Sequence, residues 1–182
     1  MSALRETFLE ELAEIYDAEK QLLKALPKMA QAAEHEELKR ALEEHLEQTE
    51  GQVERLEQLF EVIGEEPKGK SCKAMEGMVK EGEELIRDRK GDAALICAAQ
   101  KVEHYEIASY GSLQSWARML GEDEAADLLE ETLDEERDTD EQLTEVAESA
   151  INVDESEEEA DEEAEEEEQN KEESPKGRPR SQ

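Results

Sequence analysis

Glu103 and Glu106 are the two residues whose type and spacing most clearly suggest chemistry. They lie one turn apart in a segment of helical periodicity, residues 94–120, and share its apolar face with Tyr110. A carboxylate buried without a partner costs several kcal/mol. Either this helix turns its carboxylates toward solvent, or a cation lies between the helices. Carboxylate oxygens in such a position suit hard divalent cations such as iron or manganese.

Three other segments with helical periodicity also carry polar residues within their apolar faces. Glu19 is the clearest case, because its neighbours one turn away on both sides, Ile15 and Leu22, are apolar. A single core histidine is more often a hydrogen-bonding residue than a ligand, so His45 alone would be a weak signal. The inward polar residues are Glu19 on the first helix, His45, Thr49 and Gln52 on the second, and Glu136, with Glu135 at its edge, on the fourth.

The inward residues are unbalanced in charge. They include four carboxylates and one histidine but no lysine or arginine, so the cluster carries about −4 when ionised, which two divalent cations would neutralise. Ferritin-like bundles hold two iron or manganese ions with glutamates from separate helices, an i, i+3 pair and a histidine. Two alternatives stay open, namely that the glutamates share protons in a hydrated core or that the helices turn them aside.

The composition predicts an all-α fold. Aromatic residues make up 3% of the chain, and β-branched residues neither cluster nor alternate with a period of two. About 27 residues connect the second and third main helices, which is long enough to cross a bundle from end to end. One such crossover is the ferritin-like arrangement. The predicted main helices run from a Ser2 cap to about residue 33 with a bend at Pro27, from about 36 to 63 before Gly64, over 94–120 after a cap at Gly91-Asp92, and over 123–151, and a short extra helix spans 71–87 in the crossover.

The chain is strongly acidic, with a formal net charge of −33. Residues 153–182 contain 14 acids and 4 bases, and we predict that they form a disordered polyacidic tail. Residues 1–152, the predicted bundle domain, still carry a net charge of −23. This charge argues against nucleic acids and anionic membranes as partners. Self-repulsion of this size favours a host with a high-salt cytoplasm.

Cysteine usage and the N-terminal sequence indicate a cytoplasmic protein. Cys72 and Cys97 are isolated, without paired spacing, and are expected to be reduced and buried. The N-terminal residues lack the apolar run of a signal peptide, and no apolar segment approaches the length of a membrane span.

Several of these motifs together resemble the YciE/YciF family of stress-associated ferritin-like proteins. The resemblance covers about residues 4–150 and implies a four-helix bundle, usually dimeric, with a rubrerythrin-type dimetal site. In this chain the second helix carries no Glu-x-x-His motif. Gln48 stands where relatives often have an acid, and Gln52 stands where some have a histidine. The motifs are Tyr16-Asp-Ala-Glu-Lys-Gln, His45-Leu with Thr49 and Gln52, Ala99-Gln-Lys-Val-Glu-His-Tyr-Glu-Ile-Ala-Ser-Tyr-Gly111, and Leu133-Asp-Glu-Glu136 with Asp140, and the implied metal ligands are Glu19, His45, Glu103, Glu106, Glu135 and Glu136.

The leading functional expectation is a redox dimetal centre that binds Fe(II) and reacts with dioxygen or peroxide. Glu103 or Glu106 would bridge the ions, and Tyr110 would either hydrogen-bond a ligand carboxylate or only pack. A metal-free homodimeric scaffold for stress or partner binding is the alternative, and an acidic mimic of nucleic acid rests on charge alone. Nothing in the sequence indicates assembly of a storage cage.

Overall fold

The computed structural model describes residues 2–148, so the predicted tail lies outside the described residues. Within this range the chain forms five helices and no strand, which confirms the all-α prediction. The helix at Pro27 continues through the proline, and the crossover helix begins two residues later than predicted. The helices are α1 (Ala3–Ala32), α2 (Glu36–Val62), α3 (Lys73–Arg87), α4 (Asp92–Leu120) and α5 (Asp123–Val146).

Four long helices form the bundle, and the short one lies against its side. Around the bundle axis the order is α1, α2, α5 and α4, so that α2 and α4 occupy opposite corners. The chain between these two helices carries α3, which packs on α1 and α4. This is the predicted ferritin-like arrangement with one long crossover.

Apolar residues at helical spacing hold the bundle together. Each long helix buries the face that its periodicity predicts, and a fully buried Leu, Ile or Phe contributes ~1.5–3 kcal/mol relative to an exposed one. Leu46, Val53 and Leu128 belong to the predicted faces but are only half-buried. The largest completely buried apolar side chains are Phe8, Leu12, Ile15, Leu22, Leu38, Leu42, Leu56, Leu59, Met75, Ile96 and Leu113.

Several helix ends follow the expected capping chemistry. The Ser2 hydroxyl accepts a hydrogen bond from the backbone N–H of Arg5 at the start of α1. Gly121 ends α4 with a left-handed φ of 79°, a conformation that glycine adopts without steric cost. Gly64 follows α2 with a φ of 73°.

Gly91 is the N-cap residue of α4, within the predicted Gly91-Asp92 cap, but the Asp92 side chain does not cap this helix. Asp92 is the first residue of that helix, is 6% exposed, and its carboxylate accepts hydrogen bonds from two backbone N–H groups at the start of α2. The donors are Glu34, at 3.0 and 3.1 Å, and His35, at 2.6 Å. Asp92 therefore ties the two opposite corners of the bundle together at one end.

The two cysteines have different environments. Cys72 is buried as predicted, and its Sγ lies 3.0 Å from the Tyr105 hydroxyl oxygen. Cys97 is exposed, so the prediction that both thiols are buried is wrong for this residue. No helix within residues 2–148 has the length and apolar character needed to cross a membrane.

Replacing Asp92 with alanine should destabilise the fold by ~1–3 kcal/mol, because the part-buried N–H groups of Glu34 and His35 lose a charged acceptor. Urea unfolding of the full chain measures this change. Asp138→Ala removes an exposed acid of α5 and should stay within ~0.5 kcal/mol of the unaltered chain. Equal stabilities of the two variants would show that the Asp92 contacts contribute nothing.

Candidate metal centre

The four bundle helices each direct at least one polar residue to the same region of the interior. α1 contributes Glu19, α2 His45, α4 the pair Glu103 and Glu106, and α5 Glu136. The exposed fraction of each of these side chains is 3% or less. The helices therefore do not turn the predicted carboxylates aside into solvent.

Four of these residues form a group of the size of a coordination sphere. His45, Glu103, Glu106 and Glu136 each offer one ligand atom, and these atoms all lie within 4.8 Å of one another. A first-row divalent ion with ligands at ~2.0–2.2 Å places opposite ligands ~4.0–4.4 Å apart. The group could thus hold a metal ion with one nitrogen and three oxygen ligands.

Glu19 lies beside this group and is oriented by Tyr110. The buried Tyr110 hydroxyl donates a hydrogen bond to Glu19 Oε1, while Glu19 Oε2 has no hydrogen-bond partner. The Glu19 and Glu106 carboxyls influence one another, and the charge of Glu19 helps to raise the pKa of Glu106. Burial raises the pKa of Tyr110 well above its usual value, so the phenol keeps the proton that it donates. Of the two alternatives left open for Tyr110, the hydrogen bond to a carboxylate is the one that the structure contains.

Many polar atoms of the cluster lack a hydrogen-bond partner. Within the described residues, nine buried side-chain oxygen and nitrogen atoms are unpaired, and all belong to the five inward residues and Gln52. His45 Nε2 and Glu103 Oε1 lie 3.3 Å apart without the alignment of a hydrogen bond. Since buried polar atoms in folded proteins are nearly always paired, this concentration fits a cluster whose ligand atoms bind a metal ion.

Burial also changes the proton affinities of the cluster. It raises the pKa values of Glu19, Glu103 and Glu106 well above the usual value, and the neighbouring carboxylates act in the same direction. Burial raises the pKa of Glu136 to about 7. Burial lowers the pKa of His45 to about 4, so the imidazole is neutral at pH 7 and supplies no counter-charge. Neutral imidazole is also the form that binds metals.

Glu135, a predicted ligand, is engaged elsewhere. Its two carboxylate oxygens accept hydrogen bonds from Arg55 at 2.8 and 2.9 Å, and Gln52 Nε2 donates to one of them at 3.2 Å. Arg55 also contacts Glu131 and Thr132. This ion pair sits between α2 and α5, where the Arg55 side chain is 14% exposed.

The role of Arg55 was missed by the sequence reasoning, which found no inward lysine or arginine. Arg55 follows Gln52 by one helical turn, and this spacing is the one signal that places it at the edge of the inward face. Thr49 and Gln52 are both buried, as their shared face with His45 predicts. The Thr49 hydroxyl donates to the backbone carbonyl of His45 at 2.8 Å, so it is satisfied within its own helix.

Comparisons with known proteins agree with the fold and the motifs. A family model described as a domain of unknown function (DUF892) matches residues 3–155. The protein YciF of Escherichia coli (strain K12) is 47% identical over 157 residues, which cover 84% of this chain and 95% of that protein.

Solved structures give the same result. The crystal structure of the E. coli stress protein YciF matches with a TM-score of 0.78 at 48% identity, covering 81% of this chain and 96% of that chain. The structure of YcfI from Rhodopseudomonas palustris matches with a TM-score of 0.76 at 41% identity, covering 79% of this chain and 94% of that one. The predicted family resemblance is confirmed, and this chain belongs to the DUF892 family as a relative of YciF.

Proposed function

We propose that the buried cluster binds two divalent iron or manganese ions and that the protein oxidises Fe(II) as part of a stress response. The observation that supports this most strongly is the set of nine unpaired polar atoms around four buried carboxyls. Among residues 2–148 no lysine or arginine is fully buried. Arg55, which lies beside the cluster, forms its ion pairs with Glu131 and Glu135 rather than with the four inward glutamates. The similarity to the E. coli stress protein YciF supports the physiological setting.

The positions of the carboxyls suggest a division of roles. His45, Glu103, Glu106 and Glu136 would surround one ion. The charges of both Glu19 and Glu136 raise the pKa of Glu106, so Glu106 would serve as the residue shared with a second ion held by Glu19. Four ionised glutamates and two divalent ions are neutral together. A carboxylate-rich set with one imidazole suits iron or manganese better than the softer metals that prefer thiolates.

The overall reaction balances with dioxygen as the oxidant. Two Fe(II) ions lose one electron each, and dioxygen takes up these two electrons and two protons to give hydrogen peroxide. With peroxide as the oxidant, two electrons and two protons give two water molecules. The buried carboxyls hold protons in the metal-free protein, and cations displace those protons when they bind.

Hydrogen bonds from neighbouring side chains would position the carboxyls. Tyr110 holds one oxygen of Glu19, which leaves the other directed at the cluster. Arg55 holds Glu135 at the edge of the cluster.

We further expect this chain to form the homodimer that the family resemblance implies. A metal-free scaffold would have to satisfy the nine buried polar atoms with shared protons or water, or bear the cost of leaving them unpaired.

The double substitution Glu103→Gln and Glu106→Gln should abolish metal uptake and raise the melting temperature of the metal-free protein. It removes two ligands and also the repulsion between buried carboxylates. Anaerobic loading with Fe(II), removal of free ions and metal counting should give about two ions per unaltered chain and close to none for the variant.

The pair Glu47→Gln and Glu54→Gln is the matched control for this experiment. It removes the same two charges from the exposed face of α2 and should leave metal uptake unchanged. Metal bound by the Glu103→Gln and Glu106→Gln variant, together with a lower melting temperature, would show that the assigned roles are wrong.

The free energy of unfolding of the metal-free protein should decrease as the pH rises, because of the buried carboxyls of the cluster. These carboxyls have raised folded-state pKa values, so they stabilise the fold fully below their unfolded value of 4.5, and this contribution is lost as the pH rises toward the folded-state values. For Glu136 the loss extends to a pH of about 7.

We therefore expect the melting temperature of the metal-free chain to fall between about pH 5 and pH 7.5, and to fall less in the Glu103→Gln and Glu106→Gln variant. Differential scanning calorimetry at constant ionic strength measures both slopes. Saturating Mn(II) should remove the fall in the unaltered chain, because bound cations keep the carboxylates ionised and paired. Identical slopes for the two chains would exclude a titrating cluster in the interior.

A further inference from the structure

A small cavity lies between α1, α3 and α4, separate from the candidate ligands. It has a volume of about 20 Å³. Leu22 and Met29 of α1, Met78 and Ile86 of α3, and Val102 of α4 form most of its apolar wall. A cavity of ~10–15 Å³ accommodates one water-sized molecule, so there is space for one small ligand.

The cavity exists because α3 has a glycine at the centre of its inward face. Met75, Val79, Gly82 and Ile86 follow one another at helical spacing, and Gly82 is buried. A Cβ atom added at Gly82 would meet no heavy atom within 4 Å, so crowding does not require glycine here. Glycine within a helix is less favourable than alanine. The fold therefore leaves this space open at a cost in stability.

The chemistry of the wall favours an apolar occupant over water. A buried water needs about two to four polar partners. The charged groups at the cavity, Lys28 and Glu83, lie at its outer edge and are half-exposed. They pair with each other at 2.7 Å, so their polar atoms are directed to one another. Engineered cavities with apolar walls stay dry and bind apolar molecules such as xenon.

Two residues of the inner cavity wall are close in the chain to proposed ligands of the candidate metal centre. Leu22 follows Glu19 by three residues, which is about one turn or ~4.5 Å along the axis of α1. Val102 directly precedes Glu103 in α4. Leu22 and Val102 of the cavity wall are thus close along their helices to two of the proposed ligands, on the side of the bundle where α3 packs on α1 and α4.

We propose that this cavity is a binding site for dioxygen, through which this apolar diatomic molecule reaches the carboxylate cluster. The proposal rests on the function proposed above and adds the identity of the oxidant. Hydrogen peroxide has two hydroxyl groups to satisfy and finds no polar partners along this wall, so it does not use the site. The cavity therefore favours dioxygen as the molecule that oxidises bound Fe(II).

Filling the cavity tests the proposal. Gly82→Leu places a side chain in the open space, whereas Gly77→Leu makes the same change at an exposed position of the same helix. The full-length chain is loaded anaerobically with Fe(II) and mixed with dissolved dioxygen or, separately, with hydrogen peroxide. We expect a several-fold slower oxidation by dioxygen in the Gly82→Leu chain only, with the rate of oxidation by peroxide unchanged.

Xenon provides a readout that does not depend on iron. Xenon-pressurised crystals of the metal-free chain should show an atom beside Val102 in the unaltered protein and in Gly77→Leu, and none in Gly82→Leu. If Gly82→Leu does not fold, Gly82→Ala replaces it, because its Cβ meets nothing within 4 Å. The smaller side chain should reduce both the xenon occupancy and the rate with dioxygen.

The outcomes separate the two proposals. Equal dioxygen rates in Gly82→Leu and Gly77→Leu, with Fe(II) bound by both, overturn the cavity's role and leave the proposed function standing. Equal slowing with dioxygen and with peroxide also overturns it, because the substitution would then act on the metal centre rather than on oxygen entry. Failure of the unaltered chain to take up Fe(II) overturns the proposed function and the cavity's role together.

Discussion

Buried negative charge without a protein counter-charge is the constraint on which the rest of this structure depends. Glu19, Glu103, Glu106 and Glu136 come from three helices, and the exposed fraction of each side chain is 1% or less. In the metal-free state the protonated carboxyls have the lower free energy, because burial disfavours the charged form. Their pKa values are raised for this reason. The apolar layers of the bundle must supply the stability that this cluster removes.

The placement of cationic and neutral partners keeps the interior open to metal ions. A guanidinium inside the cluster would pair with the carboxylates and compete with any divalent ion. Arg55 instead remains at the edge of the bundle, where Glu135 and Glu131 accept its hydrogen bonds. Inside the cluster the partners are a neutral phenol, Tyr110, and a neutral imidazole, His45, which orient carboxylates or offer a ligand atom without neutralising charge. The protein thus separates structural ion pairs from the charges that are left unbalanced.

Helical periodicity was enough to predict the fold and the inward carboxylates, since a residue flanked by apolar neighbours one turn away, such as Glu19, has little freedom to face solvent. It could not predict contacts that join distant parts of the chain. Asp92 accepts hydrogen bonds from residues 57 and 58 positions earlier, and no local pattern signals such a pairing. Cys97 sits in an apolar run of α4 where several faces look alike, so its exposure could not be read from spacing. The contacts of a residue at the edge of a helix face, such as Glu135, depend on the rotation of the helix about its axis and on the conformation of long flexible side chains. Spacing alone does not predict them.

The acidity of the whole chain acts in two opposite ways on the same cluster. A net charge of −33 makes ionisation of further buried carboxylates harder, and so it weakens the metal-free fold as protons are lost. The same field attracts divalent cations and raises their local concentration near the bundle. Binding to the folded state alone stabilises that state by mass action. The repulsion that destabilises the metal-free bundle would therefore become a driving force for cation uptake, and the proposed metal binding would be linked to folding through one set of four glutamates.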